Sequence, residues 1–329
     1  IGRNGHAAAL DQECLATDPD DAEAMNHLGA ALAERGEATE AAALFQRALA
    51  VDPDNAQAHF NLGYQAASRG EYAAAIARFE QSLNAAPDDP DTHFNLAMAY
   101  METGDFARAE AHLERALELD PNYAKAYSNL ALARARQGKH AAAEPPAQQA
   151  RERMPQDPGA LFNLGYAAEL AGRQTEAVEY YETAIARDAH HADALARLAA
   201  LRARRGDAGS AEPLFARALE AEPNNPDAHF LLGLARMRQD QFEDAARRFR
   251  RVLELVPGHV DAEYNLGLAA VRLGEVKGAE RRFTAALSTA PEHSGALASL
   301  GLLEVKDGRA ADGVARIERA LELDPENST

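Results

Sequence analysis

The chain repeats itself every 34 residues, and that period limits the fold more than any other feature. Asn61, Asn95, Asn129, Asn163 and Asn265 are separated by 34 or a multiple of it, inside segments such as "HFNLGY", "HFNLAM", "LFNLGY" and "EYNLGL". A fixed period of this size means stacked supersecondary units, each burying its apolar face only against its neighbours. Blocks starting at residues 22, 56, 90, 124, 158, 192, 226, 260 and 294 align without an insertion. The expected organisation is nine units, 22–55, 56–89, 90–123, 124–157, 158–191, 192–225, 226–259, 260–293 and 294–327. Residues 1–21 read as the second half of a further unit, and 328–329 as a tail.

Each recurring position, numbered 1 to 34 within a unit, has a mechanical reading. Position 8 is always Gly or Ala, so another helix can approach closely. Position 15 is Gly in every unit but the seventh, where Asp240 stands, and Gly ends a helix without steric cost. Position 20 is Ala, or Gly313 in the last unit, and Pro near position 32 forbids continuation in all units but the fifth, which has Ala189. Between these marks apolar residues fall at helical spacing, as in "YAAAIARFEQSL" from Tyr72. The pattern predicts two short antiparallel helices per unit and no strand. Pro145, Pro146 and Pro213 lie inside second helices, where a proline costs roughly 3 kcal/mol, so a late start or a bend is expected there.

This pattern resembles the tetratricopeptide repeat over essentially the whole chain, most closely at Asn61-Leu62-Gly63, Gly70, Tyr72, Ala75, Phe79 and Pro87. The resemblance implies an all-α fold, a right-handed α-solenoid of stacked helix pairs, whose first helices line a concave groove. It places positions 2, 5, 6, 9, 12 and 13 on the groove wall. Rings would then come from Phe60, Phe94, Phe162, Phe230, Tyr264, Tyr64 and Tyr166, either for contact with a ligand or for packing between units. The position-6 asparagines offer the donors and acceptor of a peptide group. The groove resembles the asparagine ladder of O-linked N-acetylglucosamine transferase repeat domains, which implies an extended peptide held by its backbone. The alternative is that asparagine is merely common at that position and faces solvent. His27, Arg197, Leu231 and Ser299 interrupt the ladder. Position 13 turns basic along the chain at Arg136, Arg204, Arg238, Arg272 and Lys306, a stripe suited to an acidic partner unless neighbouring carboxylates neutralise it. The carboxylate clamp of chaperone-docking repeats is not matched by Ser128, Leu132, Asn163, Asp193 and Arg197.

Charge narrows the partners further. The chain of 329 residues has a formal charge of -18, which disfavours nucleic acid and anionic membranes, and no apolar run reaches spanning length. Residues 1–189 carry 15 basic and 30 acidic side chains, whereas 190–329 carry 19 and 22, so affinity for acidic segments is expected toward the C-terminal half. The run "ARRFRRVLEL" reads as a solvated outer face, with Glu243 four residues before Arg247. In "RDAHHAD", His190 and His191 between Asp188 and Asp193 read as a turn rather than a metal site, and His59, His93 and His229 as core filling at position 4. Cys14, the one cysteine, is expected to be buried and inert, and leaves the compartment open. A cytoplasmic setting is favoured, with a periplasmic one still open.

No nucleophile elbow, phosphate loop or HExxH motif appears, and titratable groups are spread at the repeat period. The expected function is therefore a non-catalytic scaffold, without cofactor or metal, that binds a protein or peptide. Two alternatives stay open. One is the substrate-recruiting arm of a larger enzyme of the O-linked N-acetylglucosamine transferase kind. The other is a bacterial envelope scaffold for polysaccharide or pilus assembly, to which a composition rich in Arg and poor in Lys lends loose support. Both ends look cut, and Val314, Ile317 and Leu321 form an apolar stripe at the last helix, so the chain is expected to behave as an excised segment: either more chain follows in the natural protein or molecules stack end to end.

Overall fold

A computed structural model describes residues 13–324. All its regular elements among the described residues are helices, and contacts divide the chain into two compact units, 1–177 and 178–329. In the first unit the helix pairs are Ala22–Glu34 with Ala38–Val51, Ala56–Ser68 with Tyr72–Ala85, Pro90–Glu102 with Phe106–Leu119, and Ala124–Arg136 with His140–Arg153, followed by Pro158–Leu170. The boundary falls within Gln174–Arg187. The second unit continues with Ala192–Arg204 and Ala208–Ala221, Pro226–Arg238 and Phe242–Leu255, Val260–Arg272 and Val276–Thr289, then Ser294–Lys306 and Ala310–Leu323. The architecture is an α-solenoid of helix pairs.

The turn inside each pair follows from position 15. Gly70 has φ +74° and Gly274 φ +77°, a region open to Gly without steric cost. The amide after it bonds back into the first helix, as Glu71 N to Ala66 O at 2.9 Å and Glu275 N to Ala270 O at 2.8 Å. Asp240 takes the same turn at φ 56°, the only described non-Gly residue that does. The turn between units is set by position 34, which caps the next first helix. Asp21, Asn55, Asp89, Asp157 and Asn225 each accept the amide three residues on. His191, His259 and His293 do so through a ring nitrogen.

Packing within a pair is a matter of matched sizes. A Cβ built on Gly63 would meet the Phe79 ring at 2.8 Å, on Gly233 the Phe249 ring at 2.6 Å, and on Gly267 the Phe283 ring at 2.5 Å. Positions 8 and 24 thus fill one space together: Gly stands with Phe45, Phe79, Phe249 or Phe283, with Tyr181 in repeat five and Ile317 in repeat nine, while repeat three carries Ala97 with Leu113 and repeat four Ala131 with Ala147. Repeat six departs from this, with Ala199 and Phe215. The position-20 alanines are fully or almost fully buried, as at Ala75, Ala109, Ala245 and Ala279.

Two further contacts tie successive repeats. At position 4, the buried His59, His93 and His229 turn a ring nitrogen toward the carbonyl of the inter-repeat proline, at 2.9 Å from Pro53 O, 3.0 Å from Pro87 O and 3.1 Å from Pro223 O. Tyr127 does the same through its hydroxyl to Pro121 O at 3.0 Å. The core reading of these histidines is therefore incomplete, because each also anchors a turn. The other contact joins a donor at position 11 or 16 to a carboxylate at position 21 or 25 of the preceding repeat. In the first unit Tyr100 reaches Glu80 at 2.8 Å, Arg134 reaches Glu110 at 2.8 Å and Arg173 reaches Glu144 at 2.7 Å. In the second, Arg202 reaches Glu182 at 2.9 Å, and Arg236–Glu212 and Arg309–Glu280 repeat the arrangement. Burial alone would raise the Glu110 carboxyl, but hydrogen bonds from Lys139, Arg134 and Gln137 outweigh it and hold it below the usual carboxylate range.

Two expectations need correction. The internal prolines delay nothing: their helices begin at His140 and Ala208, the same position as Ala38 and Tyr72 elsewhere. Pro146 cannot donate to Ala142 O, and Arg134 Nη1 donates to that oxygen instead, at 2.9 Å. Pro145 and Pro213 lie on exposed faces, where water reaches the carbonyls of Ala141 and Gly209. Cys14 is exposed, whereas Ala48 at the corresponding position is fully buried.

Gly267→Ala should lower stability by about 1 kcal/mol, since overpacking costs about 1–3 kcal/mol and the helix-propensity gain returns about 1. Adding Phe283→Leu should recover most of that loss, and denaturant melts of both variants check it. A second expectation concerns acid. His112 Nδ1 lies 2.9 Å from His93 Nδ1. Burial, then the charge of His93, pushes the His112 imidazole below its usual value, with Arg108 adding to the effect and Glu80 opposing it. The unfolded chain therefore binds this proton more readily, so the contribution to stability is full above about pH 6.5 and is lost as pH falls through the folded value. The melting temperature should drop between pH 7.5 and 5.5, and His112→Gln should flatten that drop while the similarly depressed His229 keeps part of it.

Candidate functional site

The first helices carry the residues expected to line a groove, and each helix presents positions 2, 5, 6, 9, 12 and 13 on one side by its 3.6-residue period. Their roles differ once contacts are examined. The position-5 rings are half-buried wedges. Phe60 lies 5.8 Å from Phe79, Phe230 lies 5.7 Å from Phe249, and Tyr264 lies 5.9 Å from Phe283, all within their own repeats. On the other side Phe94 meets Tyr123 at 4.9 Å, Phe230 meets His259 at 5.3 Å and Tyr264 meets His293 at 4.8 Å. Of the two readings of these rings, the contacts supply packing. Phe162 sits 6.2 Å from Tyr166, one turn along the same helix.

The asparagines hold themselves in place through their own helices. Asn95 Nδ2 donates to Asp91 O at 2.8 Å, Asn129 Nδ2 to Lys125 O at 2.9 Å, and Asn265 Nδ2 to Asp261 O at 2.7 Å. A bond to the carbonyl one turn back uses one N–H and leaves the other N–H and the acceptor oxygen to point away from the helix. Asn61 Oδ1 accepts from Gln57 at 3.3 Å. Asn163 Nδ2 donates to Asn129 Oδ1 at 3.2 Å, so two neighbouring rungs are joined to each other, and Asn129 is buried. Asn95, Asn163 and Asn265 are the rungs whose acceptor oxygen has no partner among the described residues.

Large apolar side chains at groove positions stay in solvent. Tyr64 is 58% exposed and is the most exposed of the large hydrophobics, and Leu170 joins it in the first unit. Val271, Leu302 and Val305 do the same in the second. By contrast, at least two of the position-13 cations are already engaged. Arg136 stacks over Phe106 at 4.5 Å and donates to Tyr166 Oη at 2.7 Å. Arg272 stacks over Phe242 at 4.3 Å and pairs with Asp240 at 3.1 Å. Position 13 therefore clasps position 17 of the preceding repeat, and Tyr72 with Glu102 is a further instance. Arg204, Arg238 and Lys306 are exposed.

Sequence reading missed this clasp, although aromatic residues at 72, 106 and 242 stand in register with it. It also missed capping by position 34. His191 is such a cap, its ring accepting Ala194 N at 3.5 Å, and among the described residues no group of three or more potential ligands could hold a metal ion. No described helix is long and apolar enough to cross a membrane. On Ala310–Leu323, Val314 and Leu321 are exposed and Ile317 is half-buried.

Paired helices of fixed length, glycine-closed turns and a repeated array of amides and apolar side chains define an α-helical repeat scaffold. The chain belongs to the tetratricopeptide repeat family. Models described as tetratricopeptide repeat match residues 66–133, 100–158, 168–233 and 202–247, and again 230–292 and 264–328. One described as TPR repeat matches 29–66. Proteins of this kind are generally interaction scaffolds without catalysis, binding proteins or peptides. No curated protein matches the chain. Among solved structures, the chain is similar to YrrB, described as a TPR protein with an unusual peptide-binding site. The match has 23% identity and a TM-score of 0.50, covering 57% of this chain and 97% of that one. It is also similar to human IFIT1, solved as a dimer with PPP-AAAA, at 17% identity and a TM-score of 0.57, covering 98% and 95%. At these identities the likeness speaks to the fold alone.

Arg136→Ala should cost roughly 1 kcal/mol of stability through the lost ring contacts. If position 13 served only a ligand, denaturant melts of this variant would match those of the parent protein.

Proposed function

We propose that the first-helix faces bind a protein segment, and that the chain is a scaffold with no catalysis of its own. The observation that carries this is the exposure of Tyr64 at position 9, three residues along the same helix from Asn61. A ring left 58% in solvent gains most when a partner covers it, at about 25 cal/mol per Å² of apolar surface. The amides supply direction: the oxygens of Asn95 and Asn265 accept backbone N–H groups of the bound segment, while side chains of that segment rest on Tyr64 or on Leu302 and Val305. Asn129 and Asn163, bonded to each other, contribute their remaining donors. The asparagine-ladder resemblance belongs to the same reading, as does recruitment of a substrate to a catalytic domain.

For a partner with an acidic segment, Arg238 and Lys306 are the better candidates among the position-13 cations. Arg136 and Arg272 act in the inter-repeat clasp instead. Self-association through Val314, Ile317 and Leu321 is a separate proposal, tested by light scattering over a concentration series.

To test the groove, Tyr64→Ala and the triple variant Asn61→Ala, Asn95→Ala, Asn265→Ala are compared with the parent protein as bait, and captured proteins are quantified by mass spectrometry. Both should lose the same partners by roughly tenfold, the effect of about 1.4 kcal/mol. Retention of every partner by both variants removes the groove from the account.

A further inference from the structure

The inter-repeat bridges described above fail at one junction of the second unit, between repeats seven and eight, and the failure has a definite chemistry. Where Arg202 and Arg236 stand at position 11, repeat eight has Ala270. Where the preceding repeat should supply carboxylates, positions 21 and 25 hold Ala246 and Arg250. Two truncations and a reversed charge leave a cleft of about 160 Å³, about five times the volume a water molecule takes in the liquid. Buried Ala246, Leu266 and Ala270 form its apolar part, and Arg250, Arg281 and Arg282 border it with Glu275.

Arg282 is committed to Glu263, its Nη1 3.0 Å from Oε2. Arg250 and Arg281 are exposed and make no hydrogen bond or ion pair among the described residues, and Glu275 pairs with neither. Their own helices place no uncommitted acid one turn away: Arg250 is flanked at that spacing by Ala246, Arg247, Leu253 and Glu254, and Glu254 is taken by Arg251 at 2.7 Å. Arg281 is flanked by Lys277, Gly278, Thr284 and Ala285. Two planar guanidinium forks beside one small apolar recess suit a carboxylate on an aliphatic stem.

We propose that this cleft receives a glutamate side chain from an acidic segment of a partner protein. The occupant completes the junction as Glu182 and Glu212 complete theirs, but from another chain. The stem lies on Ala246, Leu266 and Ala270, and the carboxylate is bound by Arg250 and Arg281. The site is independent of the groove reading. At about 100° per residue, Leu266, Ala270 and Leu273 face roughly 135° away from the side of the same helix that bears Asp261, Asn265, Leu268 and Arg272. A long polyanion is disfavoured by the charge of -18, which a single inserted carboxylate largely avoids.

The test is fluorescence anisotropy of a short fluorescein-labelled peptide of alternating Ala and Glu, titrated with the full chain. Arg250→Gln with Arg281→Gln should weaken binding at least roughly tenfold, the loss expected for charge-assisted hydrogen bonds. Arg151→Gln with Arg187→Gln, both exposed and on second helices, should leave it within about twofold. Both arginines of the cleft are exposed, so the variant is expected to melt with the parent protein, and a melt confirms it. The proposal is overturned if the parent protein does not bind the peptide, or if the cleft variant binds it equally well. It is also overturned if inorganic phosphate or oligouridylate competes better than the peptide for the same arginines.

Discussion

Close approach of the two helices in each repeat is the constraint on which everything else rests. It depends on what stands between them at positions 8 and 24. With Gly63 or Gly267 on one helix, the other presents a whole phenylalanine ring edge-on to backbone, and the ring is fully buried. The same ring then supports the position-5 wedge, Phe60 on Phe79 and Tyr264 on Phe283, at about 6 Å. A single size match thus fixes helix spacing, the angle of the wedge, and through it the wall that bears the asparagines. Dispersion in such a contact is lost quickly with distance, so a gap of an ångström at position 8 would loosen the groove as well as the core.

Much of this was legible in advance, and the reason is repetition. A glycine that occurs once has many explanations, whereas one that recurs at position 15 in eight registers has to be a turn. Helix limits followed directly from Gly70, Pro87 and their equivalents. Side-chain partnerships were less legible, because they cross from one repeat to the next and the period alone does not say which positions meet. Arg136 looked like a ligand contact from its position, yet Phe106 lies beneath it, thirty residues earlier. Asn129 looked like a free rung, yet Asn163 donates to it.

Proline at 146 shows why a local penalty need not delay the start of a helix. The carbonyl it leaves without a partner is reached by Arg134, a residue that also bridges to Glu110. Local rules count what a residue removes from its own helix. They do not count what a neighbouring helix supplies, so the expected late start did not follow.

Because the match between positions 8 and 24 is completed inside each helix pair, it has a bearing on how such a chain grows. Exchange of a whole pair between genes carries both partners along, and the fit survives. A crossover between the two helices would set Gly63 against Leu113, leaving a hole, or Ala97 against Phe79, forcing an overlap. Lengthening in whole steps of 34 residues is therefore the route that steric fit leaves open, and a chain built that way keeps its register without insertions.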